Sequence, residues 1–130
     1  MVGLVLVSHS RRLAEGLEEL LRPLAGDVPL VPAGGTSDGR LGSDATRVAE
    51  ACRQADRGDG VLVLGDIGSS ILSSKLALEL LAASDPAIRV RIADAPLVEG
   101  AVAAAVQASL GDPLEAVVRA AEEAGRQAKL

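Results

Sequence analysis

The chain has a single histidine, His9, which lies in a short polar segment, Ser8-His9-Ser10, directly after an apolar run. A second apolar run, later in the chain, ends at a polar segment that contains Asp66. A neutral imidazole is a nucleophile at one ring nitrogen, and a carboxylate bound to the other nitrogen fixes the tautomer and stabilises the charge that develops on attack. His9 and Asp66 are therefore the candidate catalytic pair, and the chemistry they suit is the holding of a phosphoryl group on His9.

Candidate anion-binding groups lie close to these two residues. The segments that follow His9 and Asp66 have helical patterns, and a helix N-terminus presents backbone N–H groups and the positive end of its dipole to an anion. The hydroxyls of Thr36, Ser69 and Ser70 are further candidate donors. Together these groups could bind the oxygens of a phosphoryl group.

Four apolar segments predict the strands that must bring these residues together. Val2 to Val7 and Gly60 to Leu64 are apolar throughout, which is typical of parallel strands covered on both faces. Val28 to Val31 contains a proline and so favours an edge position. Ile88 to Ile92 alternates strictly, so this strand exposes one face or lies near an edge.

Helical segments separate the strands. The first helix is predicted from Arg11, and its sheet-facing stripe consists of Leu13, Leu17, Leu20, Leu21 and Leu24. The other helices are predicted to begin near Ser43 or Asp44, Ser70, Val98 and Asp112. This alternation predicts an α/β fold, with an open, mainly parallel sheet in the order 2-1-3-4 and helices on both faces. Such sheets bind ligands at the switch point between strands one and three, where His9 and Asp66 should face each other.

The composition excludes several functions. The 130 residues include no Phe, Trp or Tyr and carry a formal net charge of −5, so the chain lacks the stacking rings and basic surface of nucleic-acid-binding proteins. One Cys and one His form neither an internal disulfide nor a closed zinc site, which favours a reducing, cytoplasmic setting. The chain contains no P-loop, dinucleotide-binding or hydrolase-elbow motif and no run of membrane-spanning length. We expect one domain, residues 1–130, that carries a phosphoryl group without binding a nucleotide itself.

Structural interpretations of the same residues remain open at this point. His9 could be a structural or merely exposed histidine, and Asp66 could simply cap the helix that follows it. Cys52 lies on the apolar stripe of its helix and is interpreted as a packed small side chain. Arg89 and Arg91 belong either to a solvated face or to a subunit contact.

Five segments, in order, carry a resemblance to a known family: Val5 to Ser10, Gly34 to Thr36, Gly42 to Thr46, Gly60 to Ser69 and Asp94 to Ala101. In these segments the chain resembles the mannose-type IIA domains of the phosphoenolpyruvate-dependent phosphotransferase system. Gly65 to Ser69 and Asp94 to Ala101 resemble most the branch of that family that serves dihydroxyacetone kinases.

The resemblance implies a phosphotransferase subunit in which His9 is phosphorylated and Asp66 is its partner. It places five residues around the phosphate: Ser10, Gly35, Thr36, Gly68 and Ser69. It also implies that phospho-HPr is the donor and that the acceptor is ADP held in a separate subunit, DhaL, which phosphorylates dihydroxyacetone bound to a third subunit, DhaK. No metal or soluble cofactor is expected. Because the chain stops at Leu130, we expect HPr to be a free protein.

Homodimers are usual in this fold family, and the Ala-rich C-terminal helices are the predicted packing surfaces. Two other functions remain open: a IIA domain that serves a sugar permease, and a non-catalytic regulatory α/β module that binds a ligand.

Overall fold

The computed structural model describes residues 1–130 and contains four parallel strands and five helices. The elements are β1 (Gly3–Ser8), α1 (Arg11–Ala25), β2 (Leu30–Gly34), α2 (Ala45–Ala55), β3 (Val61–Gly65), α3 (Gly68–Ser84), β4 (Val90–Ile92), α4 (Leu97–Ser109) and α5 (Leu114–Ala124). The strand order is β2-β1-β3-β4, and every pairing is parallel. The predicted fold class, strand order and central position of β1 and β3 are confirmed.

The two central strands have a separate apolar core on each face, because successive side chains of a strand point to opposite sides. Leu4 and Leu6 of β1 pack with α1, α4 and α5, whereas Val5 and Val7 pack with α2 and α3. Cys52 of α2 is fully buried in the second core, as predicted. The site residues at the end of β1 therefore extend from a strand that is covered on both sides.

The buried face of α1 differs from the predicted one. Of the five leucines assigned to the sheet, Leu17 and Leu21 are buried, whereas Leu13, Leu20 and Leu24 are exposed. The remaining sheet-facing positions are alanines, Ala14 and Ala25. Small side chains let the helix lie close to the sheet, so the larger leucines are displaced to the flank of the helix.

Both edge strands are shifted relative to their predicted ranges. Val28 donates its N–H to the Ala25 carbonyl in the turn after α1, so β2 begins at Leu30 and continues to Gly34. Ile88 likewise donates to Asp85 in a turn, and β4 is only Val90–Ile92. The later end of β2 matters for the site, because Gly34 pairs with Ser8 and the following loop lies beside His9.

The C-terminal helices also differ from expectation. Four alanines of α4 are fully buried inside the chain, against the sheet and α5, so only other residues of this helix are available for contact with a second chain: Ala101, Ala104, Ala105 and Ala108. The Asp112 side chain accepts a hydrogen bond from Gln107 instead of capping α5, whose N-cap is Pro113. Arg91 pairs with Glu115 of α5. No helix has both the length and the hydrophobicity needed to span a membrane.

Candidate functional site

The main chain of His9 is held from both sides at the end of β1. Its N–H donates to Asp66 Oδ2 at 3.0 Å, and its carbonyl accepts the Gly42 N–H at 2.9 Å. Asp66 is itself placed by β3, since its N–H donates to the Val7 carbonyl at 3.2 Å. The two central strands thus bring together residues that are far apart in the sequence, and the loop after β2 completes the backbone contacts of His9.

The imidazole of His9 lies between two polar side chains. Nδ1 is 2.9 Å from Asp66 Oδ1, and Nε2 contacts the Ser69 hydroxyl. The side chains of His9 and Asp66 are 24% and 16% exposed, so both are largely covered and each keeps limited access to solvent. An ionised carboxylate can only accept hydrogen bonds, so Nδ1 carries the proton and Nε2 presents its lone pair. The geometry therefore leaves Nε2 as the ring nitrogen with an available lone pair.

The Asp66 carboxylate accepts four hydrogen bonds. Oδ1 accepts from His9 Nδ1 and, at 2.7 Å, from the Ile67 N–H, while Oδ2 accepts from the His9 N–H and, at 2.9 Å, from the Ser8 hydroxyl. Burial of this carboxyl raises its pKa, but the hydrogen bonds to the charged form outweigh burial and lower the pKa of Asp66 to about 2. Asp66 is consequently an anion at neutral pH, and its charge lies against Nδ1.

The N-terminus of α3 lies beside Nε2 of His9. Ser69, the second residue of this helix, brings its hydroxyl to Nε2, and the backbone N–H groups of Gly68 and Ser69 make no hydrogen bond in the structure. These groups carry the positive end of the helix dipole. The α3 N-terminus therefore offers two N–H donors and one hydroxyl to an anion attached to Nε2.

Two serines that the sequence did not predict as site residues support this arrangement. Ser8 is fully buried, and its hydroxyl donates to Asp66. Ser43 is hydrogen-bonded through its hydroxyl to Ser73, at 2.7 Å, and to the Ser69 carbonyl, at 3.3 Å, which ties the loop after β2 to the first turns of α3. A hydroxyl at the end of an otherwise apolar buried strand is a recognisable signal for Ser8, because a buried polar group needs a partner. Ser43 has no such signal.

The predicted phosphate-binding residues other than Gly68 and Ser69 have structural hydrogen bonds of their own. The Ser10 hydroxyl caps α1 by accepting the Leu13 N–H at 3.2 Å. The Gly35 N–H donates to the Ser8 carbonyl at 3.1 Å, and the Thr36 N–H donates to the Arg40 carbonyl at 2.9 Å. The Thr36 hydroxyl donates to the Asp38 carboxylate within the same loop. Ser10, Gly35 and Thr36 lie beside the site, and their role in phosphate binding stays a prediction.

The glycines at the end of β2 allow the loop to approach α1. A side chain on Gly34 would place its Cβ 2.5 Å from the Ser10 carbonyl oxygen and 2.9 Å from the Ala14 Cβ. Gly35 has a φ of +72°, in the left-handed region, and its N–H reaches the end of β1. Glycine at both positions lets the loop continue close to the backbone that carries His9.

Comparison with known proteins gives consistent matches over most of the chain. One family model, EIIA-man (PTS system fructose IIA component), matches residues 3–118. Phosphoryl donor subunit DhaM of PEP-dependent dihydroxyacetone kinase 2 from Listeria innocua is 42% identical over 120 residues, which cover 92% of this chain and 95% of that protein. DhaM from Escherichia coli is 44% identical over 122 residues, but these cover 91% of this chain and 26% of that protein, so the chain spans about a quarter of its length. The chain also superposes on the crystal structure of EF1359, a protein of unknown function, with a TM-score of 0.82 and 35% sequence identity. The match covers 94% of this chain and 92% of that one.

Two findings define the class of protein: the α/β fold with a histidine and an aspartate at its switch point, and the family match. The chain is an α/β domain of the mannose-type IIA group. Within this class, the chain belongs to the DhaM family, the phosphoryl donor subunits of phosphoenolpyruvate-dependent dihydroxyacetone kinases. The resemblance found in the sequence is confirmed.

Proposed function

We propose that the chain is a phosphocarrier that takes a phosphoryl group from phospho-HPr onto His9 and passes it to ADP bound in DhaL, for phosphorylation of dihydroxyacetone held by DhaK. The observation that carries this proposal is the environment of the His9 ring. Asp66 occupies Nδ1 at 2.9 Å, and the α3 N-terminus faces Nε2. The names of the relatives support the acceptor complex.

In the first half-reaction, Nε2 of His9 attacks the phosphorus of the phosphohistidine on HPr in line with the bond that breaks. The new N–P bond forms on Nε2, and the electron pair of the broken bond returns to the imidazole of HPr. Nδ1 keeps its proton, and the ionised Asp66 stabilises the positive charge that attack places on the ring. The enzyme-like contribution of the chain is positioning and charge stabilisation.

In the second half-reaction, a terminal phosphate oxygen of ADP attacks the same phosphorus. The bond between Nε2 and phosphorus breaks, its electron pair returns to Nε2, and ATP forms in DhaL. The group stays on Nε2 between the two steps, where Gly68 and Ser69 offer donors to its oxygens. The Ser10 hydroxyl accepts the Leu13 N–H and keeps its own proton to donate. Contacts from Gly35 and Thr36 require local rearrangement, because their N–H groups and the Thr36 hydroxyl already donate hydrogen bonds.

Radiolabelled phosphate transfer tests the proposal. The chain is incubated with labelled phosphoenolpyruvate, enzyme I and HPr, and the expected product is an acid-labile, base-resistant label that is absent from His9→Ala. The labelled protein is then mixed either with DhaL–ADP and DhaK or with a sugar-specific IIB protein. Transfer to ADP only supports the proposed acceptor, and transfer to IIB only would make the chain a sugar-permease component. An unlabelled wild-type protein would contradict phosphotransfer altogether and leave the regulatory module as the remaining function.

The same proposal includes a homodimer in the cytoplasm. The outer face of α3 carries an exposed leucine at every fourth position: Leu72, Leu76 and Leu80, at 67%, 50% and 41% exposure. A row of this kind is typical of a contact surface, since α3 is apolar around most of its circumference.

Light scattering after size-exclusion chromatography tests the dimer. We expect the wild type to be dimeric and Leu76→Glu to be monomeric, because a charge in the middle of the row opposes burial. Leu110→Glu, at a leucine that is 70% exposed at the end of α4 and outside the α3 row, is the control and should stay dimeric. A monomeric wild type would contradict the proposal.

A further inference from the structure

Ser8 is a buried hydroxyl at the junction of the two central strands. It is the last residue of β1 and is fully inaccessible to solvent. Its hydroxyl donates to Asp66 Oδ2 at 2.9 Å and accepts the Ser10 N–H at 3.0 Å. It therefore links the carboxylate that faces His9 to the residue that caps α1.

Chemistry fixes the direction of both hydrogen bonds. The carboxylate can only accept and the Ser10 amide can only donate, so the single hydroxyl proton of Ser8 points at Asp66. Strand alternation places Ser8 on the same face as Leu4 and Leu6, which are fully buried apolar residues. An apolar side chain would serve core packing at this position equally well, so the hydroxyl is explained by its two partners.

The remaining contacts of Asp66 show what the hydroxyl adds. Without Ser8, Oδ2 keeps only the His9 N–H, and the Ser10 N–H loses its acceptor. The terminal torsion of an aspartate is broad, so its rotation depends on the donors around it. Ser8 is the one side-chain donor to Asp66 besides His9 itself.

We propose that Ser8 is a positioning residue for phosphoryl transfer, which orients Asp66 toward Nδ1 of His9 and so keeps the lone pair on Nε2. The ring nitrogen that carries the proton is set by the hydrogen bond that the ring makes, so a looser Asp66 changes the tautomer. The effect on transfer rests on the proposed function, but the effect on the tautomer does not.

The test uses Ser8→Ala and a matched control, Ser74→Ala. Ser74 is also fully buried, and its hydroxyl donates to the Ser70 carbonyl in α3, without contact to Asp66. Nitrogen-15 spectra of histidine-labelled protein report the tautomer directly, because the chain has one histidine. The second measurement is the rate of phosphorylation by phospho-HPr.

For Ser8→Ala we expect a larger Nε2–H fraction and a phosphorylation rate that falls about tenfold to a hundredfold, the size of a small misplacement of a catalytic group. For Ser74→Ala we expect neither change. Ser8→Cys, similar in size with a weak donor, should lie between wild type and Ser8→Ala, and it replaces Ser8→Ala if circular dichroism shows that the alanine variant does not fold.

The proposal would be overturned if the folded Ser8 variants had the same nitrogen-15 spectra and the same phosphorylation rates as the wild type. A wild-type protein that phospho-HPr does not phosphorylate would refute the proposed function instead, and the tautomer measurement would still decide the role of Ser8.

Discussion

The hydrogen bonds of Asp66 predict a measurable dependence of stability on pH. Its pKa is about 2 in the folded chain, against an ordinary value of 3.8, and its side chain is 16% exposed. The difference of about 1.8 units corresponds to about 2 kcal/mol of stability, at 1.36 kcal/mol per unit. Because the folded pKa is the lower one, this stability is fully present above pH 4 to 5 and is lost as the pH falls through about 2.

Asp66→Asn removes this charge at nearly constant size. We expect the variant to be less stable at pH 7 by at least about 2 kcal/mol, and we expect the difference to shrink by about that amount as the pH falls from 5 to below 2. The chain has no aromatic residue, so urea unfolding is followed by far-ultraviolet circular dichroism and extrapolated linearly.

A surface carboxylate provides the control for this experiment. Asp27→Asn makes the same charge change at an exposed side chain without hydrogen bonds and should alter stability by no more than about 0.5 kcal/mol at any pH. A difference between wild type and Asp66→Asn that stays constant from pH 7 to pH 2 would refute the reasoning. It would mean that the four donors do not favour the charged carboxylate, and the electrostatic role of Asp66 on His9 would lose its basis.

Three further predictions concern other parts of the structure. Gly34→Ala should lower the free energy of unfolding by about 1–3 kcal/mol and slow phosphorylation, because its Cβ would lie 2.5 Å from the Ser10 carbonyl oxygen. The control is Gly16→Ala, whose Cβ would have no atom within 4 Å and which should stabilise α1 by about 1 kcal/mol. Urea unfolding measures both changes. Ser69→Ala should fold normally, and phosphorylation of His9, measured by rapid quench, should be about tenfold slower because Nε2 loses its hydroxyl contact. An unchanged rate would show that Ser69 does not act in the site. Burial raises the pKa of the Cys52 thiol to about 12, so a thiol reagent at pH 8 should react only after urea unfolding, and prompt reaction of the native protein would show that α2 opens.

The strand order could be predicted because an apolar run fits only one kind of position in the sheet. The apolar runs that contain Val5 and Val63 are buried on both faces only if they are central strands of a parallel sheet, and this places them side by side. The His9–Asp66 contact then follows from topology, because the carboxyl ends of neighbouring parallel strands lie together. Their chemical roles are part of the proposed function.

Other details depend on competition between equally plausible partners. Leu20 and Ala14 both fit an amphipathic pattern in α1, and the close approach of the sheet decides that the smaller side chain is buried. The Asp112 carboxylate is a good helix cap by type, yet Gln107 lies within reach and binds it instead. The role of the Ser8 hydroxyl was also not predictable, since it has a carboxylate to donate to only when the fold brings Asp66 beside it.

The separation of the site residues along the chain has a consequence for folding. His9 and Asp66 are 57 positions apart, and the strands that carry them pair in parallel, so a crossover must form before they can meet. Contacts of such long range form slowly, because the entropy of closing the loop is lost before the pairing compensates for it. An intermediate that contains α1 and β1 alone has the histidine but not the carboxylate. Competence to accept a phosphoryl group during refolding should therefore report completion of the central sheet, later than the appearance of helix.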